Sequence, residues 1–347
     1  MAVQSLAIKY RPQTFDDVTE QGEIKTILKN QLKTGEVKNA YLFTGGAGTG
    51  KTTCARIFAK EINKGEGTPI ELDAASNNSV EDVRDIISRA KTASINSEYK
   101  VFILDEVHML SNSAWNAMLK LLEEPPMKSI FIMCTTDPQK IPKTILSRVQ
   151  RYDFQRISTD GIYKRLEYIY QHEIKPQVTA PIGDAMYYIA KVASGGMRDA
   201  ITMMDKCLAY TDYLTVDTVL KALGLADYAT MSSLLMELVS DDNVGAQADM
   251  LQTIDGIHMS GKDLKQFMKQ FTNFVLDVNK YSLVNDMSFV NIPVHYKGEI
   301  DKVCTESMNK LPELLSVLVR LNADIKWDTS PKATIEATLL LYMEGKL

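Results

Sequence analysis

Residues 40–58, AYLFTGGAGTGKTTCARIF, decide how the rest of the chain is read. A short apolar run leads into a glycine-rich loop, and a Lys-Thr pair then opens a helical pattern. GGAGTGKTT (45–53) fits G-x-x-x-x-G-K-[ST]. Through Gly45, Gly46, Ala47, Gly48, Thr49 and Gly50 the backbone can turn its N–H groups inward around phosphates. The helix N-terminus behind the loop adds positive potential. Lys51 would then reach the β- and γ-phosphates of ATP. The Thr52 hydroxyl would hold Mg²⁺, with Thr53 beside it in the first turn. A glycine-rich turn without function is the competing account, and the strand before it and the helix after it speak against that.

A phosphate loop needs a second carboxylate to complete the metal site, expected at the end of another apolar strand. VFILDEVHML (101–110) supplies Asp105, expected to hold Mg²⁺ through water, and Glu106, expected to orient the attacking water. Paired acids capping a buried strand are costly unless they serve a cation. His108 has no second His or Cys at ligand spacing, so it reads as a supporting or surface histidine rather than a metal ligand. The next apolar run, SIFIMCTTDP (129–138), ends in Thr135 and Thr136. In a parallel sheet, ligands collect at the carboxyl ends of strands.

Further out, AYLFT (40–44), PIEL (69–72), VFILD (101–105), SIFIMCT (129–135) and RYDF (151–154) read as strands. Several are continuous apolar runs, as expected of strands covered on both faces. Helical spacing over 51–63, 79–93 and 112–123 alternates with them, and Pro125-Pro126 stops the third helix. The expectation is an α/β domain with a parallel five-stranded sheet. Beyond 157 the pattern is helical over 158–173, 182–193 and 197–210, with Met197, Ile201, Met204 and Leu208 as one apolar stripe. It stays helical from about 225 to 347, broken near 284–298 around Pro293.

The 347 residues exceed what one hydrophobic core organises, so two or three domains are expected. A formal net charge of −5 argues against broad nonspecific coating of nucleic acid, while allowing a local basic surface. Cys54, Cys134, Cys207 and Cys304 have no Cys-x-x-Cys spacing, which indicates neither a zinc module nor a disulfide framework. Lys9 and Arg11 interrupt the N-terminus before any apolar signal segment, and no apolar run is long enough to span a membrane. The chain is therefore expected inside the cell.

Taken in order, KYRPQTFDDV (9–18), the phosphate loop, ELDAASNNSVEDVRD (71–85), DEVHMLS (105–111), LLEEPP (121–126), TTDPQKIPKTILSR (135–148) and GGMRDA (195–200) resemble the motifs of clamp-loader AAA+ ATPases. Among these the chain most resembles the bacterial DNA polymerase III gamma/tau family. The likeness is dense from residue 7 to about 225. It thins beyond, where IKWDTSPKATIEATLLL (325–341) still resembles the end of that family's collar. The resemblance implies an α/β P-loop AAA+ nucleotide-binding domain over 1–158, a small helical lid over 159–224, and an all-α collar used for oligomerisation over 225–347. It implies an adenine pocket lined by Arg11, Pro12 and Val18, and a sensor of the γ-phosphate at Thr136. A second sensor, Arg198, would reach the same phosphate from the lid. Arg84 matches a DNA-contact position, with Asn77 and Ser79 where some relatives are basic. Arg148 has no evident carboxylate or phosphate partner nearby in the sequence, and the resemblance makes it an arginine finger directed into the ATP site of an adjacent subunit. The implied partners are a sliding clamp, other loader subunits in a ring of about five, and primer–template DNA.

The chain departs from the family pattern in places. INKGEGTPIEL (62–72) runs straight through where the family carries a zinc-binding insertion, so no zinc is expected. Ser147-Arg148-Val149 has valine where the finger tripeptide has cysteine, a position with no phosphate chemistry. The sequence stops near the collar without a tau-type extension, which would suit a bacteriophage genome. A translocating AAA+ motor of the branch-migration type is the competing reading. It would need a DNA-engaging hairpin and a C-terminal winged helix, and the last third of the chain has no strand-rich segment. A non-catalytic scaffold is opposed by the intact Lys51, Thr52 and acid pair.

Overall fold

Five strands form one wholly parallel sheet: β1 (Ala40–Gly45), β2 (Ile70–Asp73), β3 (Lys100–Asp105), β4 (Ser129–Thr135) and β5 (Gln150–Phe154). Their order is β2-β3-β4-β1-β5. The computed structural model describes residues 4–92, 94, 96–173, 182–211, 213–225, 227–240, 243–293, 296–307 and 309–347.

The continuous apolar strands are explained by burial on both faces. Tyr41 and Phe43 of β1, Val101 and Ile103 of β3, and Ile130, Ile132 and Cys134 of β4 share one core with Ile24, Leu28, Cys54 and Phe58. Those partners come from helices Gly22–Thr34 and Lys51–Ile62. The alternate residues Leu42, Phe102, Leu104, Phe131 and Met133 share the opposite core with Val83, Ile86, Ala114 and Trp115. Helices Val80–Ala90 and Asn112–Glu123 carry these last four. Thr44 pairs with Thr135, and Leu104 pairs with Met133, so β1, β3 and β4 end nearly level. Polar groups just past those ends are brought together.

All five expected strands are present, three of them longer than the apolar runs by a polar or glycine residue. The helix expected over 79–93 is shorter. Ser79 stands outside it as a cap, accepting from the Asp82 N–H at 3.2 Å, while Ala93 lies outside the described residues. Helix Gly22–Thr34 was not anticipated, because its buried contribution is only Ile24 and Leu28. In helix Met197–Tyr210 the buried stripe is Ala200, Ile201, Met204 and Cys207, so Met197 and Leu208 sit at its margin. The link 63–69 turns through Gly65 and Gly67, both at positive φ, and leads directly into β2.

The chain divides into two compact units. One comprises Met1–Lys175 and Ala193–Asp205, the other Pro176–Val192 and Lys206–Leu347. Helix Thr159–Glu173 therefore belongs with the sheet, and Gly183–Val192 with the second unit. Among the described residues the second unit is entirely helical. Its longest helix, Leu264–Val284, buries Phe267, Phe271 and Phe274 in a stacked row with centroids 6.1 and 6.5 Å apart. Asp277 in that helix is buried and compensated by the Asn291 N–H at 2.9 Å and the Lys280 ammonium at 3.1 Å. Cys54, Cys134 and Cys207 are buried thiols, and no helix of the described residues is long and apolar enough to cross a membrane.

Phe131 is fully buried in β4 and stacks on Phe102 at 5.1 Å. Phe131→Ala should lower the unfolding free energy by about 3–5 kcal/mol, read as a fall in the urea midpoint. Met127→Ala, at a side chain 92% exposed, should change it by no more than about 0.5 kcal/mol.

Candidate functional site

The loop after β1 takes backbone angles that glycine tolerates best. Gly45, Gly48 and Gly50 have φ of 143°, 70° and 101°. A Cβ on Gly45 would lie 2.4 Å from the Phe154 carbonyl oxygen, and one on Gly48 would lie 3.0 Å from the Gly196 Cα. The Met197 N–H donates to the Gly48 carbonyl at 3.0 Å, tying the loop to the start of helix Met197–Tyr210. Lys51 opens helix Lys51–Ile62 and is only 6% exposed. Its ammonium donates to the carbonyls of Gly45 (2.9 Å) and Gly46 (2.7 Å). Burial pulls the lysine below its ordinary pKa, opposed by the nearby Cys134, Glu106 and Asp105. A polyanion at this position would favour the charged form further.

The acid pair stands where β3 ends. The Thr52 hydroxyl donates to Asp105 Oδ2 at 2.7 Å, and the Glu106 N–H donates to Asp105 Oδ1 at 3.0 Å. These hard oxygen groups, side by side at the helix end of the phosphate loop, are the donor type that Mg²⁺ takes. The residues fit that ion. Glu106 itself has φ 47°, a left-handed conformation unusual for a non-glycine residue. Its Oε2 accepts from the Thr136 hydroxyl at 3.0 Å and the Thr136 N–H at 3.3 Å. His108 Nδ1 lies 3.2 Å from the same oxygen and 3.1 Å from Thr135 Oγ1.

A cavity of ≈ 200 Å³ opens over the loop. Gly48 through Thr53 and Asp105 line it, as do Arg11, Pro12, Val18 and Arg198. Arg198 is exposed at the second position of its helix, off the buried stripe. Gly45 and Gly46 take part through the carbonyls that hold Lys51, whereas Ala47 is exposed and outside the lining. Sequence reasoning missed Tyr10, Arg165, Ile157 and Ile201 in the wall, and Arg56 at its edge. Tyr10 adjoins the Arg11-Pro12 motif and could have been found there. Arg165 carries no local signal, since it reaches the site by donating to the Tyr10 carbonyl at 2.9 Å, 155 residues away in sequence.

Arg148 requires a correction. It was expected to lack a partner in its own chain, yet its guanidinium donates to Glu123 Oε1 at 2.7 Å, to the Thr144 carbonyl at 2.8 Å and to Ser147 Oγ at 3.1 Å. Glu123 comes from LLEEPP, 25 residues earlier, and only the packing of helix Asn112–Glu123 beside Lys143–Leu146 brings the two together. Both side chains are well exposed, at 36% and 50%. Such a pair contributes about 0–1 kcal/mol. Arg84 is exposed on helix Val80–Ala90, 3.9 Å from Glu81.

Residues 68–158 match the family model described as DNA polymerase III, delta subunit. The chain is 31% identical to the DNA polymerase III subunit gamma of Buchnera aphidicola subsp. Acyrthosiphon pisum (strain APS), an alignment that covers 98% of each. It belongs to the DNA polymerase III gamma/tau family. It is also 36% identical to the subunit tau of Bacillus subtilis (strain 168), over 98% of this chain and 63% of that relative. With the subunit tau of Escherichia coli (strain K12) the identity is 39%, over 69% of this chain and 40% of that one. The chain thus spans less than two thirds of either tau relative. These relatives are bacterial and lend the bacteriophage expectation no support. Among solved structures, the Thermotoga maritima RuvB Holliday junction branch migration motor superposes with a TM-score of 0.51 at 20% identity, over 65% of this chain and 78% of its own. That likeness is one of fold, the AAA+ fold.

Gly48 gives a direct test of the loop. Gly48→Ala places a side chain at positive φ against the Gly196 backbone, a strain of about 1–2 kcal/mol. Fluorescent-ATP titration should show roughly tenfold weaker binding. Gly46→Ala, whose Cβ meets nothing nearer than 3.7 Å, should bind nearly as wild type.

Proposed function

We propose that this gamma/tau family member is an ATP-hydrolysing subunit of a sliding-clamp loader. The observation that carries this is the convergence of Lys51, Thr52, Asp105, Glu106 and Thr136 past the level ends of β1, β3 and β4, with Arg198 in the same cavity wall. Lys51 exchanges two neutral carbonyls for the β- and γ-phosphates. Thr52 and Asp105 would hold Mg²⁺, which when bound would neutralise charge on the phosphate oxygens. Glu106 orients the attacking water, and Thr136 and Arg198 sense the γ-phosphate. Arg11, Pro12 and Val18 receive the adenine.

In this reading residues 1–158 are the nucleotide-binding domain, 159–224 the lid and 225–347 the collar through which subunits assemble. ATP binding drives assembly with the other loader subunits in a ring, clamp opening and capture of primer–template DNA, with Arg84 on the phosphate backbone. Hydrolysis releases the closed clamp, inside the cell. Arg148 crosses to the neighbouring subunit's ATP. Its exposed pairing with Glu123 is weak enough for a phosphate to replace. The branch-migration motor is the lesser alternative, for the RuvB likeness is one of fold and no strand follows Phe154 among the described residues.

Lys51→Ala should abolish ATP binding and hydrolysis together. Glu106→Gln should bind ATP with wild-type affinity yet not turn over, trapping a complex with the clamp. Equal loss of nucleotide affinity in both variants would contradict these roles.

Mixing tests the finger. Arg148→Ala should keep nucleotide binding and lose roughly 10³-fold or more in turnover. Combined with Lys51→Ala subunits, which lack a working site and keep the finger, it should recover clamp- and primed-DNA-stimulated hydrolysis. A mixture that assembles and stays as inactive as either variant alone would make Arg148 an ordinary surface arginine.

A further inference from the structure

Glu106 begins from a strained backbone at φ 47° and has a long side chain, so something must hold its carboxylate. One oxygen, Oε2, has the Thr136 hydroxyl at 3.0 Å, the Thr136 N–H at 3.3 Å and His108 Nδ1 at 3.2 Å. Oε1 accepts no hydrogen bond among the described residues. The imidazole is held in turn. Its side chain is only 12% exposed, and Nδ1 lies 3.1 Å from Thr135 Oγ1, whose oxygen also accepts the Asp137 N–H at 3.0 Å.

The tautomer follows from these contacts. A bare Nδ1 would set its lone pair against a carboxylate oxygen. An Nδ1 that carries the proton donates it to Thr135 Oγ1 at 3.1 Å and turns its positive edge toward Oε2 at 3.2 Å, an electrostatic contact beside the hydrogen bond. Thr136 holds Oε2 by two hydrogen bonds, the ring held by Thr135 stands against the same oxygen, and Oε1 is left to meet the water. We propose that His108 is a positioning residue for Glu106, acting through Nδ1. It does not line the cavity over the phosphate loop. The inference rests on Glu106 as the group that orients the attacking water.

The test uses the full chain, assembled with clamp and primed DNA, and measures kcat and KM for ATP together with the melting temperature. His108→Ala should lower kcat by roughly 10²-fold, as expected for a reacting group displaced by about 1 Å, with KM nearly unchanged. His108→Asn puts an amide nitrogen near the Nδ1 position and should recover most of the loss. His108→Gln, which reaches to the Nε2 position instead, should not. Wild-type kcat in His108→Ala, beside an inactive Glu106→Gln, would overturn the inference and leave the role of Glu106 standing. Equal losses in the Ala and Asn variants, or losses that follow the melting temperature, would overturn it as well. Wild-type turnover in Glu106→Gln would remove the role of Glu106 and the inference with it.

Discussion

A parallel sheet buried on both faces has only its ends for polar chemistry, and the rest of this unit follows from that constraint. Every residue of β4 is buried, and its neighbours β1 and β3 alternate their side chains between two apolar cores. No charged group could be accommodated along these strands without a large desolvation penalty. At the carboxyl ends the constraint lifts over the width of one residue. Leu104 is 3% exposed and in the core, whereas Asp105 and Glu106 are partly open and hydrogen-bonded. The register then sets distances: β1, β3 and β4 stop nearly level, so the phosphate loop, the acid pair and the two threonines share one place.

Local signals and non-local ones behaved differently on the way from sequence to structure. Strands β1, β3 and β4 were legible because a doubly covered strand must be apolar along its length, and the phosphate loop because its glycine positions follow from backbone angles. Asp105 and Glu106 were legible as charges that end an apolar run. Helix Gly22–Thr34 was missed because it buries only two side chains and otherwise faces water. On helix Met197–Tyr210 the apolar spacing runs through Leu208, whereas the buried side chain is Cys207 and Leu208 is half-buried. Arg148 was misread for a different reason. Its partner Glu123 becomes a neighbour only when two helices pack, and no window of sequence contains that event.

His108 belongs to the same class of residues. From sequence it reads as a supporting or surface histidine, because no second His or Cys stands at ligand spacing. In the structure its companions are Glu106, two residues away, and Thr135 on a different strand. The cavity wall is wider than the motifs that announce it. Its outer members, Tyr10 and Arg165 among them, are joined through main-chain carbonyls and packing rather than through recognisable spacing.

The bond from the Met197 N–H to the Gly48 carbonyl has its own consequence. It links the nucleotide loop to the helix that bears Arg198, and it is made wholly of main chain. Side-chain scanning at 197 would pass over it, because alanine there retains the N–H. Its upkeep demands only an N–H at 197, whatever the side chain. Proline is the one exception among the twenty amino acids. Met197 is the first residue of its helix, where a proline is otherwise welcome, so the loss would fall on the link alone and spare the helix. Mechanical coupling between loop and helix can thus be preserved in the backbone while leaving no trace in composition.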